Sequence, residues 1–206
     1  MSFIDIHTHN CTPTAHTIYN CGASYIAERS ISTGIHPWHI SDKWESEFAA
    51  ITEIAKESNV AAIGECGLDT LKSPATIELQ KDIFRAHIHL SEQLQKPLII
   101  HCVKAYDTLM ALHKESAPQQ AWIIHGFRGK PELATQLVKA GFYISLGKKF
   151  NPDSAQAVPM ERLFIESDES QCSIADIYAA VATAKNITTK QLTQQIATNA
   201  RIFKQF

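Results

Sequence analysis

Short runs of aliphatic and β-branched residues alternate along this chain with longer stretches whose apolar positions recur every three or four residues. Seven runs read as strands, at 3–9, 31–36, 61–68, 97–102, 121–127, 142–146 and 163–168. Their near-continuous hydrophobicity suits parallel strands buried on both faces. Between them, 76–94 puts Leu79, Ile83, Ala86, Leu90 and Leu94 on one stripe, and 105–113 and 132–140 repeat that pattern over shorter spans, so these are expected as covering helices. Two more helices are expected at 174–185 and 189–198, the second capped by Thr188 or Thr189, and 199–206 reads as a final docking turn. The stretch 10–30 is polar, turn-rich and poorly periodic, and it is where one βα unit is expected to be missing.

Strands alternating with helices predict an α/β fold with a parallel sheet. A complete (β/α)8 barrel takes about 250 residues, and this chain has 206. The expectation is therefore one domain over 1–206, a trimmed or distorted TIM (β/α) barrel of seven to eight parallel strands.

Composition narrows the function classes. Hydrophobic residues make up 45%, and 19 Lys and Arg against 21 Asp and Glu leave a formal net charge of −2, with no basic tract for following a duplex phosphate backbone. Strong duplex DNA binding is not expected. No apolar run approaches the ~20 residues of a membrane-spanning helix, and the start lacks a signal-peptide pattern, so no membrane role and a cytoplasmic location are expected. Five Cys, odd in number and without a C-x-x-C pair, argue against a disulfide scaffold or a zinc ribbon.

The ten His matter more for their positions. Strand alternation puts Asp5, His7 and His9 on one face of the first strand and separates His101 and His125 from Ile100 and Ile124, while Glu65 and Asp168 stand at the ends of two further strands. The C-terminal ends of parallel strands are where such barrels build active sites. A buried set of four His and two carboxylates without a cation would be costly to desolvate, so these six residues predict a metal site. By the same alternation Cys66 and Cys102 turn away from it as buried free thiols. Read more plainly, Asp168 would only cap the helix that follows.

In order along the chain stand Asp5-Ile6-His7-Thr8-His9, Gly34-Ile35-His36-Pro37, Gly64-Glu65-Cys66-Gly67-Leu68-Asp69, Ile100-His101-Cys102, His125-Gly126-Phe127-Arg128-Gly129, Ile165-Glu166-Ser167-Asp168 and Asn199-Ala200-Arg201-Ile202-Phe203. This series resembles the TatD-type metal-dependent hydrolases, the TatD-like DNase family of the amidohydrolase-like TIM-barrel superfamily. The resemblance implies two divalent ions per chain, of Zn, Mn, Mg or Ni. His7, His9, Glu65 and Asp168 would hold one, and Glu65, His101 and His125 the other. Asp168 would take the proton of the attacking water, with Glu65 the second catalytic residue.

Departures lie in the substrate loops. Val103 stands where many members have Arg, Gly126 where a Cys is common, and no Pro follows Asp168 two residues on. His36, Lys104 and Arg128 are the candidate substrate residues, and Lys72, Lys130, Lys148 and Lys149 are further nearby cations. The leading reading is a phosphodiesterase of deoxyribonuclease type acting on nucleic-acid ends or small molecules. A binuclear hydrolase of a small amide, lactone or ester is the alternative, and a non-catalytic metal-binding scaffold is a third. Oligomeric state is not written in the sequence.

Overall fold

The structure, a computed structural model, describes residues 2–10 and 16–204. Eight strands follow one another in sequential order: β1 (Asp5–Thr8), β2 (Thr17–Asn20), β3 (Ile31–Thr33), β4 (Val60–Asp69), β5 (Leu98–Val103), β6 (Trp122–Ile124), β7 (Tyr143–Leu146) and β8 (Leu163–Ile165). Among the described residues seven α-helices accompany them: α1 (Trp44–Ile54), α2 (Ile77–Leu94), α3 (Tyr106–Ser116), α4 (Pro131–Lys139), α5 (Pro152–Ala157), α6 (Ile174–Ala184) and α7 (Thr189–Asn199). Sequential parallel order with intervening helices is TIM-barrel topology. The chain divides into two compact units, residues 20–122 and the combination of 1–19 with 123–206.

Within residues 20–122, β4 is the central strand, pairing in parallel with β3 on one side and β5 on the other. All ten of its residues are buried, as a strand covered on both faces requires. Gly67 allows the closest approach. Its φ is +138°, and a Cβ there would run into the carbonyl oxygen of His101, so only glycine lets β4 lie this close to the strand carrying that imidazole. Thr76 caps α2 by accepting from the Leu79 N–H at 3.3 Å, and the helix ends at Gln95 in the left-handed region.

His87 sits in the middle of α2 and is fully buried. Nδ1 bonds to the Ile83 carbonyl at 2.8 Å and Nε2 accepts the Ile35 N–H at 3.0 Å. A neutral ring protonated on Nδ1 satisfies both contacts, and burial pushes the ring down to about 4 despite the opposing pull of the Ile83 carbonyl. The unfolded chain thus takes up a proton near pH 6.5 that the folded chain refuses until about pH 4. His87 therefore stabilises fully above that window and loses its contribution as pH falls through it. The stability lost by His87→Gln at pH 7.5 is expected to shrink by about 3 kcal/mol by pH 4. Asp5, pushed up to about 6 chiefly by burial, titrates in both proteins and cancels from the difference. A stability gap from urea unfolding that stays constant across this range would show that the ring is not held neutral.

Within the other unit, β8 pairs with β7, β7 with β6 and β1 with β2, all in parallel, and a bridge joins Thr8 to Asp168. Asp5 fastens β1 to the chain after β8, accepting the Ser167 N–H at 3.0 Å on Oδ1 and the Ser167 hydroxyl at 2.6 Å on Oδ2. Tyr178 of α6 donates to the Ile4 carbonyl at 2.8 Å. Asn199, at the end of α7, donates to the carbonyls of Met160 and Leu163, each at 2.8 Å. Thr188 and Gln191 form a capping box at the start of α7.

The fold class matches the sequence expectation, with three differences of detail. Strand β2 lies inside the stretch read as irregular, because only Ile18 of its four residues is buried and no alternation marks it. Among the described residues no helix separates β2 from β3, so that βα unit keeps its strand and lacks its helix. Helices α1 and α5 escaped the periodicity reading, α1 because only Ile51 of its eleven residues is buried and α5 because it spans six residues. Cys21, Cys66, Cys102 and Cys172 are free, while Cys11 and the end of the 199–206 turn lie outside the described residues. No helix among the described residues is long and apolar enough to cross a membrane.

Candidate functional site

Each compact unit carries its own cluster of potential metal donors. In residues 20–122 it is built on β4 and β5. Glu65, 3% exposed, is held by Asn20, whose Nδ2 donates to Oε2 at 3.3 Å and whose Oδ1 accepts the Glu65 N–H at 3.2 Å. Glu65 Oε1 lies 2.9 Å from His101 Nδ1 and 3.0 Å from His36 Nε2. The His101 Nε2 faces Asp69 Oδ2 at 3.2 Å. With the proton on Nε2, donated to Asp69, Nδ1 turns its lone pair toward Glu65. A carboxylate behind an imidazole is how metal-ligating rings are oriented. The 2.9 Å between the Glu65 and His101 donor atoms is within a few tenths of the ~3.3 Å separating neighbouring ligands of a tetrahedral ion with ~2.0–2.1 Å bonds. The pair fits a divalent cation.

His36 is placed differently. It follows β3 and caps the short 3-10 turn Pro37–His39, its Nδ1 accepting the Trp38 N–H at 3.0 Å. An acceptor Nδ1 puts the proton of the neutral ring on Nε2, where it is donated to Glu65. Although its nitrogen lies close enough to be counted with the donors, His36 in this tautomer orients the carboxylate. Trp38 Nε1 donates to Asp69 Oδ2 at 2.6 Å, and the N–H groups of Leu71 and Lys72 reach Asp69 Oδ1 at 2.7 and 3.0 Å. Burial raises the Asp69 carboxyl, but these donors together with His101 outweigh it and leave the group below its usual range. Asp69 is thus an ionised anchor for His101.

In the other unit, His7, His125 and Asp168 gather ligand atoms within 4.8 Å of one another. His7 is fully buried, and its Nε2 lies 3.9 Å from Asp168 Oδ1, with His9 Nε2 at 3.8 Å from the same oxygen. The backbone sets this geometry: the Asp168 N–H donates to the His7 carbonyl at 3.0 Å, and the His9 N–H to the Asp168 carbonyl at 3.1 Å. Asp168 has φ +55°, a left-handed conformation that Asp and Asn adopt more readily than other side chains. Glu166 Oε1 lies 3.3 Å from His125 Nδ1 and accepts the Gly126 N–H at 2.6 Å. Full burial raises its carboxyl, but the adjacent His125 and His7 more than offset this and hold it below the usual range. Glu166 stands behind His125 as Asp69 stands behind His101, which leaves Nε2 as the nitrogen that His125 offers to an ion.

The structure thus brings together His7, His9, His125 and Asp168 in one unit and Glu65, His101 and His36 in the other. Arg128 is exposed in the loop after β6, beside Asp168 in a common cavity. Lys104 is exposed near the end of β5, its carbonyl accepting from the Thr70 hydroxyl at 3.3 Å. Sequence reasoning quoted Asp69 and Glu166 within motifs but gave them no role, and it missed Asn20. The signal for Asp69 was parity, four residues after Glu65 within β4 and hence on the same strand face; Glu166 follows the end of β8, where alternation gives no such signal.

Residues 4–204 match the family model described as TatD related DNase. YcfH of Escherichia coli strain K12, an uncharacterized metal-dependent hydrolase, is 31% identical over 194 residues, which cover 84% of this chain and 72% of that protein. The 3'-5' ssDNA/RNA exonuclease TatD of Citrobacter koseri is 30% identical over 166 residues, covering 75% of this chain and 63% of the relative. Among solved structures, the TatD homolog YJJV from Escherichia coli K12 matches with a TM-score of 0.81 at 19% identity, covering 98% of this chain and 97% of that one. At that identity the match shows a common fold.

Proposed function

The chain belongs to the TatD-related DNase family and is a metal-dependent hydrolase, and from that premise we propose that it cleaves phosphodiesters in the manner of a deoxyribonuclease, with 1–206 acting as one catalytic domain. Its substrates are the ends of single-stranded nucleic acid or small phosphodiesters. A net charge of −2 does not favour tight binding along a duplex.

The resemblance implies Glu65 shared by both ions and His125 on the second, but the donor clusters within each compact unit favour a different grouping. His7, His9, His125 and Asp168 would hold one divalent ion, and Glu65 with His101 a second, the metal being Zn, Mn, Mg or Ni. Such ions acidify water and stabilise developing negative charge on oxygen. The chain's own groups do the rest. Asp168 accepts the proton of the water that attacks phosphorus, while Asp69 and Glu166 keep His101 and His125 in their ligand tautomers. His36 and Asn20 hold Glu65, and Arg128 and Lys104 meet the anionic substrate. The observation that carries this reading is the pair of carboxylate-backed imidazoles, His101 on Asp69 at 3.2 Å and His125 on Glu166 at 3.3 Å.

The test is a substrate panel run on protein stripped with EDTA and then given Mn(II) or Zn(II). Bis(p-nitrophenyl) phosphate is expected to be hydrolysed only after metal is restored. Turnover of aryl esters or lactones without any phosphodiester cleavage would remove the phosphodiesterase assignment.

A further inference from the structure

In the unit formed by 1–19 and 123–206, the loops that follow β6, β7 and β8 enclose a cavity of about 370 Å³. That is near the lower end of the ~300–1,000 Å³ typical of small-molecule pockets, so it is sized for a single nucleotide and not for a duplex. Three cations line it, Arg128 after β6 and Lys148 and Lys149 after β7, with Phe150 contributing a half-buried aromatic wall and Asp168 also at the lining. The whole chain has only 19 Lys and Arg, so three in one small cavity is a local concentration of positive charge.

The carboxylates beside these cations are largely committed elsewhere. Glu166 accepts the Gly126 N–H at 2.6 Å and faces His125. Asp168 is fixed by its backbone between His7 and His9. Glu169 is the exposed carboxylate at the rim. A guanidinium fork and two ammonium groups around one small space suit a phosphate, which takes bidentate hydrogen bonds from Arg and point charges from Lys. A neutral ester or lactone would leave all three unmatched.

We propose that this cavity is a subsite for the terminal phosphomonoester of a nucleotide chain, gripped by Arg128, Lys148 and Lys149 next to Asp168, with Phe150 against the sugar or base. As a substrate subsite it rests on the phosphodiesterase reading. As a phosphate-binding site it does not, and this separates the tests. The enzyme then prefers oligonucleotides whose end carries a phosphate.

Binding is measured first, by calorimetric titration of EDTA-treated protein with AMP and with adenosine, so that no cation can capture the phosphate. AMP is expected to bind at least about tenfold more tightly than adenosine, because charge-assisted hydrogen bonds to the phosphate have no counterpart in the nucleoside. Lys148→Gln combined with Lys149→Gln should abolish that preference, and Arg128→Gln alone should reduce it. Because all three side chains are exposed, the melting temperature should stay near the wild-type value. Equal binding of AMP and adenosine by the wild type, or an undiminished preference in the double variant, overturns the subsite.

The kinetic arm compares kcat/KM for thymidine dinucleotides with and without a terminal phosphate, at either end. A preference of about tenfold in the wild type should fall toward one in the double variant. Protein that prefers AMP but cleaves no phosphodiester keeps the phosphate site and loses the phosphodiesterase reading. Protein that cleaves phosphodiesters with no preference for AMP does the reverse.

Discussion

Asp168→Asn is expected to lose at least about a hundredfold in kcat while keeping its fold and most of its metal. The substitution is close to silent for the backbone. Asp168 sits at φ +55°, and Asn tolerates that region as Asp does. The bonds that pin it to the His7 carbonyl and the His9 N–H are main-chain bonds and survive the change. One side-chain oxygen also remains to face His7 and His9, now 3.9 and 3.8 Å away. What disappears is the capacity to accept a proton, and loss of a general base typically costs 10² to 10⁴ in rate. The plainer view, that Asp168 caps the following helix, does not hold, because the α6 cap is Ser173, which accepts from the Asp176 N–H at 3.1 Å. Single-turnover hydrolysis and elemental analysis on one preparation decide it. Near-normal turnover by a fully metallated Asp168→Asn protein would take this residue out of the mechanism.

Most of the candidate donor cluster was legible from strand parity, because a charged or imidazole side chain on a parallel strand buried on both faces needs a specific partner. β4 makes the point: Glu65 and Asp69 are its acidic residues, and each accepts from an imidazole, Glu65 from His36 Nε2 at 3.0 Å and Asp69 from His101 Nε2 at 3.2 Å. Cys66 and Cys102 likewise turned out buried and free, with burial the leading cause that pushes Cys102 up to about 12. Parity could not rank the polar residues of one face. Asp5 shares its face with His7, yet its oxygens are taken by Ser167, 162 positions away in sequence, a pairing no local pattern announces.

What stayed illegible depended on tautomers and on short elements. His36 is a candidate substrate residue through the family resemblance, which says nothing of its contact with Glu65. Its role as a donor to Glu65 follows from the Trp38 N–H occupying Nδ1, a contact created by the 3-10 turn. β2 was missed for the same kind of reason. Four residues with a single buried side chain give no period, yet Asn20 at its end fixes both the backbone and the carboxylate of Glu65.

Glu65→Ala is expected to lose the ion assigned to Glu65 and His101 and to lower hydrolysis by at least about a hundredfold. Among the described residues, Glu65 is the carboxylate placed against both His36 and His101, at 3.0 and 2.9 Å. Its removal leaves His36 Nε2 and His101 Nδ1 facing each other at 3.3 Å, with His36 bringing a proton into the gap. A cation there would meet one imidazole lone pair and no negative ligand. Asp69→Asn is the graded control. It leaves both ligands in place and weakens the orientation of His101 together with the Trp38 contact to the same oxygen, a loss worth roughly 10 to 100-fold in metal affinity. Metal content after gel filtration should therefore rank wild type above Asp69→Asn and Asp69→Asn above Glu65→Ala. Melting temperatures of all three in EDTA show whether the order reflects the fold instead of the ligands. A Glu65→Ala protein that holds as much metal as the wild type would remove Glu65 from the metal site and, with it, the orienting role of His36 and Asn20.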